Sequence, residues 1–546
     1  MDFRKKVVYQ AYPKSFKDSN GDGVGDLRGI IEKLPYLKKL GIDVVWFNPF
    51  FPSPQNDNGY DISDYKNIDP MFGTMDDFEE LVKKMQDLDM EIMLDMVLNH
   101  TSTDHIWFKK ALLGDKKYQD YYILRKPQAN GELPTNWVSK FGGPAWAKFG
   151  DTNMYYLHLF DKTQADLNWR NPEVRAEAAD IVNFWIDKGV TGFRFDVINL
   201  IGKDEELVDA EDGVGKSLYT DKPIVHEYLK ELNERTFGRI NSITVGEMSS
   251  TSIENCILYT RPERHELSMT FNFHHLKVDY VDGEKWSLTP YRFDELTKLL
   301  HTWNEEMSKG NGWNAWFWNN HDQPRALTRF GNDSEYRIES AKMLATAIHL
   351  NRGTPFVYQG EEIGMTDPYF EDLSQYRDVE SLNYYDIMIS DGKTHEEAIE
   401  IIKSKSRDNS RTPMQWSDEL SGGFTTGTPW IPVADNYLEI NVERELAEGS
   451  IFKYYQELIS LRKRDDVISF GEYLAYDRNH PDIYAFIREY ENNKILVLNN
   501  FKDHESSIEL AEEWLEGDLI INNYDESVSL ERLLKLRPFE SLAIKI

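Results

Sequence analysis

The sequence has little cysteine, little positive charge and no long apolar run. Its one cysteine, Cys256, cannot form an intramolecular disulfide, which is typical of a reducing compartment and predicts a cytoplasmic location. The N-terminal residues carry no apolar stretch of signal-peptide length, and no run of about 20 apolar residues exists that would span a bilayer. With 62 Lys and Arg against 94 Asp and Glu, the formal net charge is −32. A field of that sign repels nucleic acid and anionic membranes, so both are excluded as partners.

Aromatic residues and chain length are the informative parts of the composition. Phe, Trp and Tyr make up 13% of 546 residues. Aromatic faces suit the stacking of sugar rings, but composition alone favours the simpler explanation, a large core rich in rings. The chain is too long for one compact core, which favours one large domain with smaller attachments.

Short apolar runs alternate with helical patterns along most of the chain. Near-continuous apolar runs are typical of parallel strands buried on both faces, and helical segments such as 28–41 and 75–89 separate them. Eight such runs predict an α/β fold, a (β/α)8 TIM barrel. A doubly wound open sheet is the alternative, but no Gly-rich phosphate turn follows the first run. The eight runs are 7–13, 42–50, 91–100, 191–199, 242–248, 267–273, 315–322 and 354–362.

Two segments depart from the barrel pattern. Residues 101–170 are rich in Trp, Tyr, Gly and Pro and too long for an ordinary connection, which predicts a small domain inserted after the third strand. Alternating segments after residue 470 predict a C-terminal antiparallel β-sandwich domain. The predicted organisation is a barrel at 1–100 and 171–470, an inserted domain at 101–170 and a C-terminal domain at 471–546.

Polar residues collect at the ends of the predicted strands, where a barrel carries its active site. Arg194 and Asp196 share one strand face, and a neighbouring guanidinium is expected to hold the carboxylate ionised, as a nucleophile requires. A structural ion pair is the alternative. Glu247 ends the next strand beside Val245 and Met248, an apolar setting that favours the protonated form of a general acid. Two carboxylates in contrasting environments are the requirement for glycoside hydrolysis.

Five motifs in fixed order resemble those of the α-amylase superfamily, glycoside hydrolase family 13. The resemblance spans residue 1 to about 470 and implies a retaining double displacement on an α-glucosidic bond. It implies Asp196 as nucleophile, Glu247 as acid/base and Asp322 as the third carboxylate. By the same resemblance His100, Arg194 and His321 bind the glucose at the cleavage subsite. The motifs are NGYDISDY (58–65), DMVLNH (95–100), GFRFDVIN (192–199), GEM (246–248) and NNHD (319–322).

Within that superfamily the chain is most similar to the oligo-1,6-glucosidase subfamily. The similarity implies that Tyr60 and Asp61 bind substrate and that Asp61 holds O4 of a terminal glucose opposite an arginine. Arg407 and Arg411 are both candidates for that arginine. Such a pair closes the pocket and implies exo-action. Val197, directly after the nucleophile, resembles the residue found in members that cut α-1,6 or α,α-1,1 bonds.

Several further segments resemble those of subfamily members that split trehalose 6-phosphate: 139–146, 155–169, 246–256 and 271–286. In so acidic a chain a phosphate needs local cations, and His275, Lys277 and Lys285 are the predicted phosphate contacts. A solvated charged loop is the alternative explanation of these three residues. For the enzyme, the alternatives are an oligo-1,6-glucosidase, a trehalose synthase or sucrose isomerase, and a non-catalytic binding or scaffold relative.

The segment 18–26, DSNGDGVGD, predicts a loop that binds a structural Ca²⁺ or Mg²⁺ ion. It begins like a calcium loop, but Gly29 stands where an EF-hand needs a bidentate glutamate, so it is not an EF-hand. A plain Gly/Asp turn is the alternative. No organic cofactor is implied, and a monomer is expected. The predicted ligands are Asp18, Asn20, Asp22, the Val24 carbonyl and Asp26.

Overall fold

The computed structural model describes residues 2–526 and 528–546. In these residues the strands are β1 (Val8–Ala11), β2 (Val44–Phe47), β3 (Glu91–Met96), β4 (His100–Ser102), β5 (Leu124–Arg125), β6 (Trp146–Lys148), β7 (Tyr155–Leu157), β8 (Gln164–Asp166), β9 (Gly192–Phe195), β10 (Ile243–Glu247), β11 (Met269–Phe271), β12 (Ala315–Trp316), β13 (Thr354–Tyr358), β14 (Glu472–Tyr476), β15 (Ile483–Tyr490), β16 (Asn493–Asn500), β17 (Ser506–Glu509), β18 (Asp518–Asn522), β19 (Leu533–Leu536) and β20 (Ser541–Lys545). The helices are α1 (Leu27–Leu40), α2 (Met75–Asp87), α3 (Ile106–Leu112), α4 (Lys116–Gln119), α5 (Pro172–Asp187), α6 (Lys216–Tyr219), α7 (Ile224–Arg235), α8 (Ile253–Thr260), α9 (Phe293–Lys309), α10 (Ala326–Phe330), α11 (Arg337–His349), α12 (Val379–Ser390), α13 (His395–Lys405), α14 (Asp408–Arg411), α15 (Val442–Ala447), α16 (Ile451–Arg464) and α17 (Asp466–Phe470).

Eight strands form one barrel sheet in the order β11-β10-β9-β3-β2-β1-β13-β12, which confirms the predicted (β/α)8 fold. Each of the eight apolar runs contains one of these strands. Neighbouring strands such as β3, β9 and β10 run parallel. Every residue of β9 and of β10 is buried, because a parallel sheet is covered on both faces.

The helices between these strands begin and end at residues whose chemistry suits the position. The Asp26 carboxylate accepts a hydrogen bond from the Gly29 amide at the start of α1, and Gly41 ends that helix in the left-handed conformation with φ of 99°. Thr74 and Asp77 form a capping box at the start of α2. Such local signals fix where helices start along the chain, and packing then decides where they lie.

Between β3 and α5 the chain forms two small antiparallel sheets instead of a short connection. One pairs β4 with β8, and the other has the order β5-β7-β6. A buried cluster stabilises this region and extends to Val197, directly after the predicted nucleophile. Its buried members include Ile123, Trp137, Trp146, Leu157, Leu159, Leu200 and Tyr219. The exact bounds of an inserted domain stay a prediction.

The C-terminal part of the chain is an antiparallel β-domain, as predicted. A five-stranded sheet of order β14-β15-β16-β20-β18 is accompanied by a two-stranded sheet, β17-β19. Leu496 and Leu542 of the first sheet and Ile508 and Leu534 of the second belong to one buried cluster, together with Trp514. Burial of apolar side chains from both sheets in one core is the arrangement of a sandwich.

The chain divides into two compact units. The first unit comprises the residues up to Val45, Phe273–Tyr376 and the residues from Ile399 onward, and the second comprises Trp46–Asn272 and Arg377–Ala398. Asp196 and Glu247 belong to the second unit, and Asp322 belongs to the first.

In the described part of the chain, no helix combines the length and the apolarity needed to cross a membrane.

Candidate active site

In the second unit, a single arginine binds three carboxylates. Arg194 is 1% exposed, and its Nη1 donates to Oδ1 of Asp95 and to Oδ1 of Asp196, both at 2.7 Å. Its Nη2 donates to Oε2 of Glu247. The three strands concerned are neighbours, and Arg194 lies in register with Asp95 on β3 and with Val245 on β10. The sheet therefore brings the predicted nucleophile and the predicted acid/base to the same guanidinium.

The charge balance of this cluster differs from the sequence-based expectation. Three ionised carboxylates on one guanidinium leave a net charge of −2 in a buried place, which is costly. Burial raises the pKa of Asp196 to about 6, with the Asp95 charge adding to the effect and Arg194 opposing it. Burial likewise raises the pKa of Asp95 to about 6. Arg194 favours the ionised form of Asp196, as expected, but desolvation outweighs the ion pair and the pKa rises.

Asp95 is the residue of this cluster that sequence reasoning missed. Its Oδ2 accepts hydrogen bonds from the Tyr60 hydroxyl at 2.8 Å and from Trp46 Nε1 at 3.2 Å. The same two rings lie against Arg194, whose guanidinium carbon is 5.2 Å from the Trp46 centroid and 5.8 Å from that of Tyr60. Tyr60, predicted to bind substrate, thus orients Asp95 and covers the guanidinium. These contacts hold the Arg194 guanidinium in position to donate to Asp196.

Asp95→Asn is expected to shift the acid limb of the kcat/KM profile to lower pH. A nucleophile must be ionised, so activity falls as the pH drops through the pKa of Asp196, near 6. Removing the Asp95 charge removes one cause that raises this pKa. The measurement is kcat/KM against pH for wild type and variant, and Asp64→Asn, an acidic residue outside the cluster, serves as the control. An unchanged midpoint would contradict the assignment of this limb to Asp196.

The turn after the nucleophile is conformationally strained. Val197 has φ of 35° and ψ of 41°, in the left-handed region that β-branched residues rarely adopt. Such a conformation costs about 1–3 kcal/mol and persists only where surrounding packing imposes it. The Val197 amide points to Oε2 of Glu247 at 3.4 Å. The strained turn therefore places a backbone donor against the predicted acid/base.

His100 and Asp61 are both buried, and burial shifts the pKa of each. Burial lowers the pKa of His100 to about 4. Asp61 is fully buried, and its carboxylate accepts hydrogen bonds from Ser53 Oγ at 2.9 Å, the Asn56 amide at 2.9 Å and the Asp57 amide at 3.1 Å. Burial raises the pKa of Asp61. In the described conformation Asp61 organises its own loop, and its contact with a sugar O4 stays a prediction.

In the first unit, two arginines bind the third predicted carboxylate. Arg411 Nη2 donates to Oδ1 of Asp322 at 2.8 Å, and Arg407 Nη1 donates to the same oxygen at 3.2 Å. Arg411 is 1% exposed, and its Nε also donates to the His321 carbonyl at 2.8 Å. The Asp322 side chain keeps 27% of its surface exposed. Both candidate arginines thus orient Asp322, and which of them faces Asp61 stays open.

His321 is held by one residue of β1 and one residue directly after it, neither of which the motifs indicated. Gln10 Nε2 lies 2.9 Å from His321 Nδ1, and the Tyr12 ring stacks on the imidazole at a centroid distance of 6.0 Å and an interplanar angle of 17°. His321 Nε2 lies 3.3 Å from Oδ2 of Asp322. The ring and the carboxylate are therefore positioned as one group.

Of the three predicted phosphate contacts, His275 was wrong. It is 1% exposed, its Nε2 lies 2.8 Å from the Phe317 carbonyl oxygen, and burial lowers its pKa to about 3. The enclosed ring directs Nε2 to a backbone carbonyl and is not exposed to a phosphate. Lys277 is exposed, and Lys285 is half-buried with its ammonium 4.6 Å from the Trp286 centroid. The role of the two lysines as phosphate contacts stays a prediction.

The predicted cation loop is folded around its own backbone amides. Asp18 Oδ1 accepts from the Asn20 and Gly21 amides at 2.9 and 2.8 Å, and its Oδ2 accepts from Gly23 at 2.8 Å. Asp26 caps α1. Within residues 2–526 and 528–546, no group of three or more His, Cys, Asp or Glu side chains is arranged to hold a metal ion. The ligand set predicted for this loop, which includes an amide and a backbone carbonyl, stays a prediction, and the catalytic steps proposed below do not involve the ion.

Comparison with known proteins places the chain in a family. The model described as the alpha amylase catalytic domain matches residues 10–471, and the model of the alpha-amylase SusG C-terminal domain matches residues 483–542. Trehalose-6-phosphate hydrolase of Bacillus subtilis (strain 168) is 53% identical, covering 100% of this chain and 98% of the relative. Oligo-1,6-glucosidase of Bacillus cereus is 48% identical, covering 100% and 99%.

Solved structures agree with the sequence comparison. The crystal structure of Bacillus licheniformis trehalose-6-phosphate hydrolase matches with a TM-score of 0.96 and 52% identity, covering 100% of this chain and 99% of that one. The trehalulose synthase from Pseudomonas mesoacidophila MX-45 matches with a TM-score of 0.95 and 38% identity, covering 100% and 99%. The chain therefore belongs to the α-amylase family, glycoside hydrolase family 13.

Proposed function

We propose that the protein is a retaining, exo-acting α-glucosidase that hydrolyses trehalose 6-phosphate to glucose and glucose 6-phosphate. The observation that carries this proposal is the binding of Asp196 and Glu247 to one buried arginine. A retaining enzyme needs its carboxyl groups about 5–5.5 Å apart, whereas an inverting enzyme needs about 6.5–9.5 Å. Two carboxylates on the same guanidinium favour the shorter separation. The substrate is supported by the 53% and 49% identical relatives named trehalose-6-phosphate hydrolase.

The reaction proceeds in two displacements. Asp196 attacks the anomeric carbon of the glucosyl unit, the glycosidic C–O bond breaks, and Glu247 gives its proton to the departing oxygen of glucose 6-phosphate. Water then gives a proton to Glu247 and attacks the β-glucosyl ester, which releases α-glucose and restores the Asp196 carboxylate. Asp196 is largely ionised at neutral pH because its pKa is about 6. Arg194 binds both carboxylates and keeps them aligned.

Asp322 and His321 are proposed to bind hydroxyl groups of the reacting glucose, as the family resemblance implies. The exposure of Asp322 and its orientation by two arginines support this role. A substitution that removes such a contact is expected to lower kcat and kcat/KM, because the contact strengthens in the transition state. His100, Arg194 and Val197 are proposed to contact the same glucosyl unit. Tyr60 is proposed to support that subsite through Asp95.

Lys277→Ala is expected to lower kcat/KM for trehalose 6-phosphate by about tenfold, equivalent to ~1.4 kcal/mol, and to leave that for trehalose nearly unchanged. The reason is that only the phosphorylated sugar offers a charge for the ammonium to pair with. Lys298→Ala, which removes an exposed lysine of α9, is the matched control. Equal losses on both sugars would contradict a phosphate role for Lys277, and the same comparison applies to Lys285.

An oligo-1,6-glucosidase acting on isomaltose-type sugars is the second candidate. The observation that favours it is the 48% identical Bacillus cereus relative of that name. Such an enzyme has no use for cations beside its leaving group, so Lys277→Ala then changes nothing on either substrate. The choice of substrate therefore depends on the two lysines, not on the shared carboxylates.

The product test of the proposal is direct. Incubation with trehalose 6-phosphate is expected to yield equal amounts of glucose and glucose 6-phosphate. Proton NMR at early times is expected to show α-glucose before mutarotation, because retention preserves the configuration at the anomeric carbon. Initial β-glucose would contradict the double displacement. Absence of glucose 6-phosphate would contradict the substrate.

A structural cation, an intracellular location and a monomeric state stay part of the proposal. A sugar phosphate is charged and does not cross a membrane unaided, so an enzyme acting on it belongs in the cytoplasm. If the loop at 18–26 binds Ca²⁺, adding the ion after chelation is expected to raise the Tm, because a ligand that binds only the folded state stabilises it. Asp22→Asn should abolish that increase. A Tm independent of Ca²⁺ would contradict the cation site.

A further inference from the structure

Three buried polar residues that the proposed mechanism does not use lie behind His100. Lys203, Asp166 and Asn99 are 3%, 0% and 0% exposed. Lys203 Nζ donates to Asn99 Oδ1 at 2.7 Å and forms an ion pair with Oδ2 of Asp166 at 2.6 Å. An ammonium and a carboxylate are expensive to bury, and this pair is therefore weak evidence for stability alone. Its contacts lead to the imidazole of His100.

The ammonium determines which way the Asn99 amide faces. A lysine ammonium can only donate, so the Asn99 atom that faces Nζ must be the oxygen. The amide nitrogen therefore points the other way, 3.1 Å from Oδ2 of Asp166 and 3.2 Å from Nδ1 of His100. Amide orientation is commonly ambiguous in proteins. Here Lys203 and Asp166 select the same orientation independently.

The amide in turn determines which nitrogen of His100 carries the proton. Since Asn99 directs an N–H toward Nδ1, that nitrogen must accept and carries no proton. The neutral ring then has its proton on Nε2, which lies 3.2 Å from the Tyr60 carbonyl oxygen, an acceptor. A second proton, on Nδ1, would face the Asn99 N–H group. Burial lowers the pKa of His100 to about 4, in the same direction.

A second amide approaches the ring from the side of Nε2. Gln164 Nε2 lies 3.2 Å from Nε2 of His100. Its orientation is also determined, because its oxygen accepts from the Asp161 amide at 2.9 Å and its nitrogen donates to Oδ2 of Asp57 at 3.1 Å. Nε2 therefore faces one acceptor, the Tyr60 carbonyl, and one donor, the Gln164 amide, whereas Asn99 offers Nδ1 a donor. A proton on Nε2 satisfies the contacts with Asn99 and Tyr60, and a proton on Nδ1 would satisfy the contact with Gln164 alone.

The charged and titratable groups around the ring are few. Asp166 favours the protonated imidazole and Lys203 disfavours it, and both lie on the Nδ1 side. Asp57 lies beyond Gln164, and the Tyr65 hydroxyl binds the His100 backbone carbonyl at 2.7 Å. The Phe160 ring packs against the imidazole at 5.3 Å. With Asp166 paired to Lys203, the surroundings hold the ring neutral.

We propose that Lys203 is a positioning residue that orients the Asn99 amide and thereby keeps His100 neutral, with its proton on Nε2. The consequence for catalysis rests on the proposed function, in which His100 faces the reacting glucose. The glycosyl transition state carries positive charge. A neutral imidazole places no cation beside that charge, whereas an imidazolium would oppose it. Lys203 thus acts through two residues on the charge of the cleavage subsite.

The test is the protonation state of His100 in the free enzyme. NMR of protein labelled with ¹⁵N-histidine reports each ring nitrogen, and the His100 signals are identified by their loss in His100→Gln. Wild type is expected to show an unprotonated Nδ1 and a protonated Nε2 at neutral pH. A protonated Nδ1 in wild type would overturn the proposal.

Lys203→Met and Asn99→Asp are expected to change that state. In Lys203→Met the Asn99 amide is free to turn its oxygen toward Nδ1, and in Asn99→Asp a carboxylate faces Nδ1 while Lys203 keeps its partners. Each should move the proton to Nδ1, or protonate both nitrogens, and raise the His100 pKa from about 4 toward its ordinary value near 6.5. Lys203→Arg retains the donors and should restore the wild-type spectrum. Identical spectra for wild type and both variants would overturn the proposal, and Asn99→Asp keeps the test available if Lys203→Met fails to fold.

The kinetic readout separates positioning from simple structural support. In Lys203→Met, kcat/KM is expected to gain an additional loss as the pH falls through the raised His100 pKa, and Lys203→Arg should lack it. A uniform loss at all pH values, with an unchanged ring, would show a merely structural lysine. The ring spectra need no substrate, so failure of the enzyme on trehalose 6-phosphate would refute the proposed function and leave this inference standing.

Discussion

Asp196→Asn is expected to lower kcat on trehalose 6-phosphate by on the order of 10⁴–10⁶-fold, the scale of losing a group that acts as one unit with its partners. An amide cannot form the glycosyl ester, so the first displacement has no nucleophile. The fold should survive, because asparagine has nearly the same shape and its oxygen can still accept from Arg194. The measurement is single-turnover kinetics together with the Tm of the variant.

The control for this variant is an acidic residue of the same unit that lies on the surface. Asp180→Asn removes an exposed ion pair with Lys66 and should leave both kcat and Tm close to wild type. If Asp196→Asn kept kcat within about tenfold of wild type, Asp196 could not be the nucleophile, because a tenfold loss is too small a rise in the barrier for the removal of a nucleophile. Unfolding of Asp196→Asn would show instead that the buried carboxylate is needed for stability.

Glu247→Gln is expected to separate substrates by the quality of their leaving group. On trehalose 6-phosphate the loss of general acid catalysis should cost about 10²–10⁴-fold. On an activated aryl α-glucoside the leaving oxygen needs no proton, so the first displacement should proceed nearly as in wild type. The glucosyl-enzyme should then accumulate, because no base activates water. Pre-steady-state kinetics should show a burst of aryl alcohol followed by slow turnover.

Azide provides the complementary measurement for Glu247→Gln. An anionic nucleophile needs no base, so azide is expected to restore turnover of the aryl glucoside and to yield an α-glucosyl azide, with retention. The Asp196→Asn variant should give no such recovery by this route, since it forms no glucosyl-enzyme. Equal losses of Glu247→Gln on both substrates, without a burst, would contradict its role as acid/base.

The barrel strands were predictable because burial leaves a local record. A strand covered on both faces must be apolar throughout, and each of the eight runs contains a strand of the barrel sheet. The strand-end residues Arg194 and Glu247 followed from the same pattern. The C-terminal antiparallel domain was predictable because the helical pattern stops near residue 470 and strand-like segments follow.

Contacts that depend on register were not predictable from one sequence. Asp95 lies 99 residues before Arg194, and only the pairing of β3 with β9 brings their side chains together. The motif that contains Asp95 was noticed, but an acidic residue inside an apolar run carries no local sign of its partner. The Asp95 charge, which adds to the rise that burial causes in the pKa of Asp196, comes from that missing contact.

His275 shows the opposite error. Two histidines and two lysines near a strand end are typical of an exposed cationic loop. The ring is nevertheless enclosed by aromatic side chains from the residues around β12, with Trp316 and Trp318 at 5.3 and 6.0 Å. Whether a polar residue of a loop faces solvent depends on what a distant strand places over it. Burial then decides the charge, and the neutral imidazole fills a packing position.

The proposed substrate is tested most directly by kcat/KM for trehalose 6-phosphate, trehalose and isomaltose, measured side by side on the purified wild-type protein. The account predicts a strong preference for trehalose 6-phosphate over trehalose, which differs from it only by the phosphate. That preference should weaken in Lys277→Ala. Comparable values for trehalose 6-phosphate and trehalose would contradict the account. A preference for isomaltose would contradict it as well and would identify an oligo-1,6-glucosidase.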